Sequence, residues 1–459
     1  MSYKIVLVRK TINPKNVLVG KTIFKNIVCL SIIMEIDLVK DYIANYLNTK
    51  APELVKRDLQ LNAIKGKAVT IVGPRRAGKT SLMWQEIAKL DRHEAIYLDF
   101  EDIALKDLST AEVLRVIADI FTEVSGKMAS TIFLDEIQNV EGWQSLVRTL
   151  LDRGYRVYAT GSSSKLLARE IATQLRGRSL TYLLLPFSFS EYLIAIGEHA
   201  IDINSMSERG RVKNLLSKYL HAGGFPEIVL SGGDKERLLA EYKDLIFFKD
   251  FVERQKAKSI DVARHMFNFV TQAYASEMSI RRIIAALKSN GVRFGNNTVY
   301  DYVEKLQDTL VVFFLNRYST KISIRSGWPK KVYLADNGLA WRIPYDEGRI
   351  MENTVFLELK RRINSKPEAE LYYYRDPSGH EVDFVVKEGL EIKELVQVTR
   401  ASDKTEIKRG EIESLLKASK ELRCKNLTII TWDYEGKEDI EKSTINYIPL
   451  WRWLLEKKP

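Results

Sequence analysis

The residues best suited to chemistry form two short runs. Gly73, Pro74, Arg75, Arg76, Ala77, Gly78, Lys79 and Thr80 fit the pattern G-x-x-x-x-G-K-[ST], with Ser81 next. Glycines at those spacings let the backbone fold around phosphates with its N–H groups inward. A lysine then reaches the terminal phosphates and a hydroxyl holds magnesium. The second run, Ile132, Phe133, Leu134, Asp135 and Glu136, is an apolar strand that delivers two carboxylates at its C-terminal end. Asp135 is expected to hold magnesium through water, and Glu136 to orient and deprotonate an attacking water. The bland alternative is an acidic pair that caps the surface. Together the two runs predict binding and hydrolysis of ATP with Mg2+.

Further polar groups fall near these runs. The strand Val157 to Thr160 ends in G-S-S-S, which places Ser162 or Ser163 where a side chain can sense the terminal phosphate, although a plain turn reads as well. Arg169, Arg176 and Arg178 are candidates for a charge-neutralising arginine acting in cis or across a subunit interface, with Arg176 and Arg178 favoured. Ordinary surface arginines remain the other reading. Asp99, Glu101 and Asp102 close the preceding strand, where solvated loop carboxylates are the stronger expectation.

These groups need a scaffold, and the periodicity supplies one. The spacing of Ile36, Val39, Tyr42, Ile43 and Tyr46 predicts a helical stretch from Met34 to Leu59. Apolar strands at Ala68–Val72, Ala95–Asp99, Thr131–Asp135 and Arg156–Thr160 alternate with helical segments, which predicts a parallel sheet covered on both faces. The fold class is therefore α/β, with a P-loop core over 34–187. A helical lid follows over 188–260, interrupted by H-A-G-G-F-P (His221 to Pro226). Residues 261–331 carry two helical patterns, Ser279–Lys288 and Asn297–Thr309, joined by a polar connection and followed by the apolar run Leu310–Leu315. That is a winged-helix pattern. Residues 332–459 form a last α/β domain, with a helix at Glu352–Arg362 and strands around Tyr372, Val385 and Leu395–Val398. Residues 1–33 lack periodicity, and Met34 is an expected alternative start.

A chain of 459 residues with 45% hydrophobic, 10% aromatic and 29% charged residues reads as several ordinary folded domains. Its two cysteines, Cys29 and Cys424, cannot build a disulfide framework, which predicts a reducing cytoplasm. The early apolar run Ile27–Met34 is far short of the roughly 20 residues that cross a bilayer, so no membrane association is expected. The net charge of +11 favours polyanionic partners. Within residues 279–331 ten Lys or Arg face three Asp or Glu, so seven of those eleven charges are local. Duplex DNA is the expected partner there, with Asn296, Asn297, Thr298 and Tyr300 toward the groove and Arg281, Arg282, Lys288 and Arg293 toward phosphates. A packing or protein-contact role is the alternative. A homo-oligomer is also expected.

With G-P-R-R-A-G-K-T-S, I-F-L-D-E-I-Q-N-V-E-G-W, G-G-F-P-E and E-V-D-F-V-V in order, the chain resembles archaeal and bacterial AAA-type ATPases that carry a C-terminal domain of unknown function. The resemblance implies an additional-strand P-loop core, a winged helix, and a domain similar to the PD-(D/E)xK (restriction-endonuclease-like) fold. Nucleases of that fold gather carboxylates around magnesium, which makes Glu352, Asp383 and Gln397 a second candidate metal site. Gln397 stands where an acid is usual and Thr399 where a lysine is usual, with Arg400 or Lys404 as substitutes. A binding domain without cleavage is expected, and an ATP-regulated nuclease is the alternative. The overall expectation is an ATP-driven machine or switch working on DNA, against a slow-hydrolysing, nucleotide-dependent protein scaffold.

Overall fold

The structure is a computed structural model and describes residues 36–161, 175, 177–198, 205–319, 321, 327, 329–364, 366–440 and 443–456. The expectations for residues 1–33, Ser162, Ser163, Arg169 and Arg176 fall on residues outside this set. The chain divides into two compact units, Met1–Ala51 with Ile87–Val157, and Pro52–Glu86 with Tyr158–Pro459. A five-stranded sheet has the order β2-β3-β4-β1-β5, where β1 is Ala68–Val72, β2 Ala95–Asp99, β3 Thr131–Asp135, β4 Arg156–Gly161 and β5 Ser179–Leu183. The pairings β1 with β4, β1 with β5 and β2 with β3 are parallel. Every residue of β1 and β3 is buried, as expected for central parallel strands written as unbroken apolar runs.

In the first unit the expected N-terminal helix is present over 36–48 and stops well before Leu59. Pro52 and the polar residues around it leave 50–57 without helix, because proline lacks the N–H and restricts the residue before it. The helix docks on β2 through its tyrosines. The Tyr46 hydroxyl donates to the Ala95 carbonyl (2.7 Å), and the Tyr42 hydroxyl accepts from the Asp99 N–H (3.0 Å). Helix Trp143–Asp152 buries Trp143, Leu146, Val147, Leu150 and Leu151, the i, i+3, i+4, i+7, i+8 stripe of a core-facing helix.

In the second unit the stretch read as a lid is helical at Phe189–Ala195, Met206–Ala222, Pro226–Leu230 and Lys235–Glu253. Helices Ile260–Gln272, Ile280–Ser289 and Asn296–Asp308 follow, with a three-stranded antiparallel sheet of order β6-β8-β7. Here β6 is Ser276–Met278, β7 Val312–Leu315 and β8 Lys330–Leu334. The boundary expected between 331 and 332 therefore falls inside β8, because the strand completes the earlier sheet. A helix at Glu347–Ile363 precedes a six-stranded sheet of order β13-β14-β12-β11-β10-β9, with β9 at Ala369–Arg375, β10 at Glu381–Glu388, β11 at Glu391–Val398, β12 at Asn426–Thr431, β13 at Gly436–Ile440 and β14 at Ser443–Pro449.

The Gly223–Gly224 pair is where backbone meets backbone. Gly224 donates its N–H to Asp336 (2.6 Å) and accepts from the Phe187 N–H (2.7 Å). A Cβ on Gly223, whose φ is +78°, would lie 1.7 Å from Asp336 Oδ1. Gly223→Ala is expected to cost about 1–3 kcal/mol or more from backbone strain and overlap. Gly232→Ala, with no neighbour within 4 Å of the added carbon, is the control. Thermal unfolding checks the pair, and equal melting temperatures for both variants would refute the assigned close approach.

Candidate nucleotide site

The loop between β1 and helix Lys79–Ile87 is shaped by groups far away in sequence. Gly73 passes so close to the chain after β5 that a Cβ there would lie 2.0 Å from the Leu184 carbonyl oxygen, so only glycine fits. Gly78 has φ +94°, a left-handed conformation natural to glycine. Beneath the loop lies Arg57, 6% exposed. Its Nε donates to Glu191 (2.9 Å), its Nη1 to the Ala77 carbonyl (2.8 Å) and its Nη2 to the Leu185 carbonyl (2.6 Å). Glu191 also caps its own helix through Ser188 and accepts from the Asp58 N–H. Burial pushes the Glu191 carboxyl up, but Arg57 outweighs it and the group is held below its ordinary range. A guanidinium satisfied in three directions fixes the loop's underside.

Lys79 is buried at the start of its helix and its Nζ approaches the Gly73 and Pro74 carbonyls, both at 3.4 Å. Thr80 is exposed and Ser81 half-buried. The two loop arginines face the helical segments downstream. Arg75 Nε lies 3.5 Å from Asp250 Oδ1, which also pairs with Arg254 at 3.1 Å. Asp250 is 1% exposed, its Oδ2 lacks a hydrogen-bond partner, and burial raises its pKa against the pull of Arg254, Arg75 and Lys79. Arg76 has φ +64°, pairs with Glu227 at 2.6 Å, and stacks its guanidinium 4.3 Å over the Tyr242 ring.

In the other unit, β3 ends in Asp135, 2% exposed. Its Oδ2 accepts from the Tyr97 hydroxyl at 2.8 Å. Burial first, and the Asp135 charge second, push the Tyr97 hydroxyl far up, so it stays a neutral donor. Asp99 at the end of β2 is pushed up to about 6, chiefly by burial and then by the neighbouring carboxylates. Glu136 is half-buried in a left-handed conformation (φ +49°), and Gln138 donates to its side chain. A carboxylate on a strained turn directly after a buried strand is aimed by the backbone more than by its own rotamer.

Other expected residues fall elsewhere. Arg178 is exposed, and its carbonyl accepts from Ala68 at the N-terminal end of β1. The loop leaves the opposite end of that strand, roughly 13 Å away at the rise of a β-strand, so Arg178 does not serve its own chain's loop. Among the described residues no three His, Cys, Asp or Glu side chains are arranged to hold a metal. Glu352 and Asp383 do come together, but on the ammonium of Lys331. The Gln397 Oε1 instead accepts from the Asp383 N–H at 3.4 Å. Thr399 is buried, Arg400 pairs with Glu347 and Lys404 with Glu438, so neither substitute turns to Asp383. Arg281, Arg282, Lys288, Arg293, Asn297 and Tyr300 are exposed.

An AAA domain family matches residues 65–193, and two domains of unknown function, DUF8612 and DUF4143, match 213–343 and 347–453. An uncharacterized protein of Methanocaldococcus jannaschii is 36% identical over 421 residues, covering 88% of this chain and 92% of that protein. The chain belongs to this family of AAA-type ATPases. An uncharacterized Haemophilus influenzae protein is 28% identical over 338 residues, 70% of this chain and 80% of its own. Among solved structures, AMPPCP-bound DnaA from Aquifex aeolicus (14% identity, 58% of this chain and 86% of that one, TM-score 0.23) and Cdc6p from Pyrobaculum aerophilum (11%, 64% and 89%, 0.25) are similar, at TM-scores short of a shared overall fold.

Neither Arg57 nor Asp250 has a local signal in the family's P-loop motif. Arg57→Ala in this AAA-type chain is expected to cost about 3–5 kcal/mol, because it strands the buried Glu191 charge, and to weaken nucleotide binding through the loop. Melting temperature and calorimetry with ATP and magnesium check it. Unchanged values in both would remove Arg57 from its shaping role.

Proposed function

We propose that this AAA-family protein binds and hydrolyses ATP with magnesium at the loop Gly73–Ser81, and that Asp135 and Glu136 complete the chemistry. The observation that carries the reading is the loop itself, with a glycine that admits no Cβ, a left-handed Gly78 and a buried Lys79 at a helix start. That combination makes an anion cradle from backbone amides and one ammonium. The donor types suit magnesium as well, since the Thr80 hydroxyl and the Asp135 carboxylate are the hard oxygens that this ion takes. When bound, the ion neutralises charge on the phosphates.

In this reading Lys79 would leave its carbonyl contacts for the terminal phosphates, and the Thr80 hydroxyl would hold the ion. Asp135, oriented by the Tyr97 hydroxyl, would hold the ion through a water. Glu136 takes the proton of the attacking water. Its position after a buried strand supports that role better than a surface cap does, since Gln138 steadies the carboxylate. Ser162 is retained as a phosphate sensor and Arg176 as the charge-neutralising arginine, with Arg178 available only to a neighbouring subunit of a homo-oligomer.

The work of the cycle is proposed to fall on duplex DNA through a winged helix over 261–331. The exposed Arg281, Arg282, Lys288 and Arg293 support this, with Tyr300 56% exposed on helix Asn296–Asp308. No helix among the described residues is long and apolar enough to cross a membrane.

Lys79→Ala is expected to abolish uptake of ATP, and Glu136→Gln to keep uptake while kcat falls about 100-fold or more. Isothermal calorimetry and phosphate release measure the two. Retained binding in Lys79→Ala sinks the site, and retained turnover in Glu136→Gln sinks the base.

Duplex DNA is expected to stimulate turnover, with log affinity falling by roughly 0.9 per log salt for each phosphate neutralised. Arg281→Ala with Arg282→Ala should flatten that slope by up to about two such steps. Nucleotide-dependent oligomerisation with no response to DNA would instead establish the protein-scaffold reading.

A further inference from the structure

Lys331 falls within the basic stretch 279–331, yet its side chain is 3% exposed. Alternation along β8 places Lys331 and Tyr333 on one face, toward helix Glu347–Ile363 and β10. The Tyr333 ring stacks on Phe356 at 4.1 Å and 5°, with Phe384 at 5.7 Å. Beside this apolar joint a buried ammonium is costly unless each of its three N–H groups is met. All three are. Nζ lies 2.6 Å from Glu381, 2.8 Å from Asp383 and 3.1 Å from Glu352.

The three carboxylates have further partners. Glu352 Oε1 also receives the Tyr333 hydroxyl at 2.7 Å, and Asp383 Oδ2 receives the Val398 N–H at 2.9 Å. Glu381 lies 3.7 Å from Arg375, whose guanidinium pairs with Glu277. Gln397, the third ligand expected of a metal, points its oxygen at backbone. Magnesium bound to protein oxygens needs them at about 2.0–2.1 Å around a shared centre. Here those oxygens converge on an ammonium, so the residues present do not fit the metal that the nuclease-like resemblance implies.

We propose that Lys331 is a built-in cation that stands in for a divalent metal among Glu352, Glu381 and Asp383, pinning the three-stranded sheet to the six-stranded one and leaving the C-terminal domain without metal-dependent cleavage. The lysine comes from a strand of the preceding module, 52 residues before Asp383. A fixed charge from one module has therefore replaced a diffusible charge in the other, and the same contact that silences the cluster holds the two modules together. The inference stands apart from the ATPase reading, since it uses no residue of the phosphate loop.

The test uses the full chain without nucleotide, titrated with Mn2+ and followed by electron paramagnetic resonance and thermal unfolding. Wild type is expected to show no Mn2+ uptake that Asp383→Asn removes, and the same melting temperature in EDTA as in Mn2+. Lys331→Met keeps the stem and deletes the charge. It should melt lower, gain one Mn2+ per chain and recover part of the loss when Mn2+ is present. The double variant Lys331→Met with Asp383→Asn should gain none. A wild-type Mn2+ site abolished by Asp383→Asn overturns the proposal, as does a folded Lys331→Met that takes up no Mn2+. Should Lys331→Met fail to fold, the comparison of wild type with Asp383→Asn decides alone, and plasmid nicking lost in Asp383→Asn but present in wild type refutes the silent domain.

Discussion

A buried guanidinium holds the glycine-rich loop in shape. Arg57 donates at once to the Ala77 carbonyl in the loop, the Leu185 carbonyl beyond β5 and the Glu191 carboxylate of the next helix. Neutral side chains of similar size cannot meet three acceptors in three directions, and a lysine brings a point charge where a planar fork is needed. The close pass of Gly73 against Leu184 makes the same demand from the other side, because the loop has room for backbone and nothing more. The shape of the loop is thus a consequence of packing. The loop is held open by contacts made before any ligand arrives, which lowers the cost of ordering it on binding.

The same loop is tied forward. Arg75 reaches Asp250 and Arg76 reaches Glu227, so any ligand that draws either arginine toward phosphate uncovers a carboxylate in the helical stretch downstream. Asp250 is the more consequential, since it is buried and its Oδ2 has no hydrogen-bond partner. Glu227 lies on the short helix that begins straight after Gly223–Gly224, and that glycine pair is clasped by Asp336, just beyond β8. Burial pushes Asp336 up to about 7 even though two backbone N–H groups oppose it. A contiguous path of named contacts therefore leads from the phosphate loop to the strand that carries Lys331. A path of contacts is not by itself coupling, which also needs an element on it with two discrete arrangements.

What the sequence disclosed were features with local signatures. Unbroken apolar runs located β1 and β3, the glycine spacing located the loop, and the stripes in Ile280–Ser289 and Asn296–Asp308 located two helices within a residue or so. Features that depend on a distant partner were not legible. Arg57 and Glu191 are 134 residues apart, and Arg75 and Asp250 are 175 apart, with no periodicity to connect them. The helix expected to run to Leu59 stops at residue 48 for a local reason, namely Pro52. Arg178 lies at the opposite end of β1 from the loop, because strand direction, not proximity in sequence, decides which end of a sheet a residue occupies.

Lys331 shows why counting charges is a weak guide to a charged surface. Ten basic residues between 279 and 331 look like one field, but the fold sorts them by strand alternation and helix face before any partner does. Arg281 and Arg282 remain at the surface, Lys305 is drawn to Asp301, and Lys331 is turned inward to balance three carboxylates of another module. Lys330, one residue earlier, is half-buried and has its pKa lowered by burial, so it too adds less to a field in water than its charge implies. An electrostatic footprint for DNA has to be built from the side chains left outside, and those of helix Ile280–Ser289 are the ones that the packing of Ile280, Ile283 and Leu287 pushes outward. The apolar stripe that holds this helix to its neighbours is thus the same feature that aims its arginines at solvent.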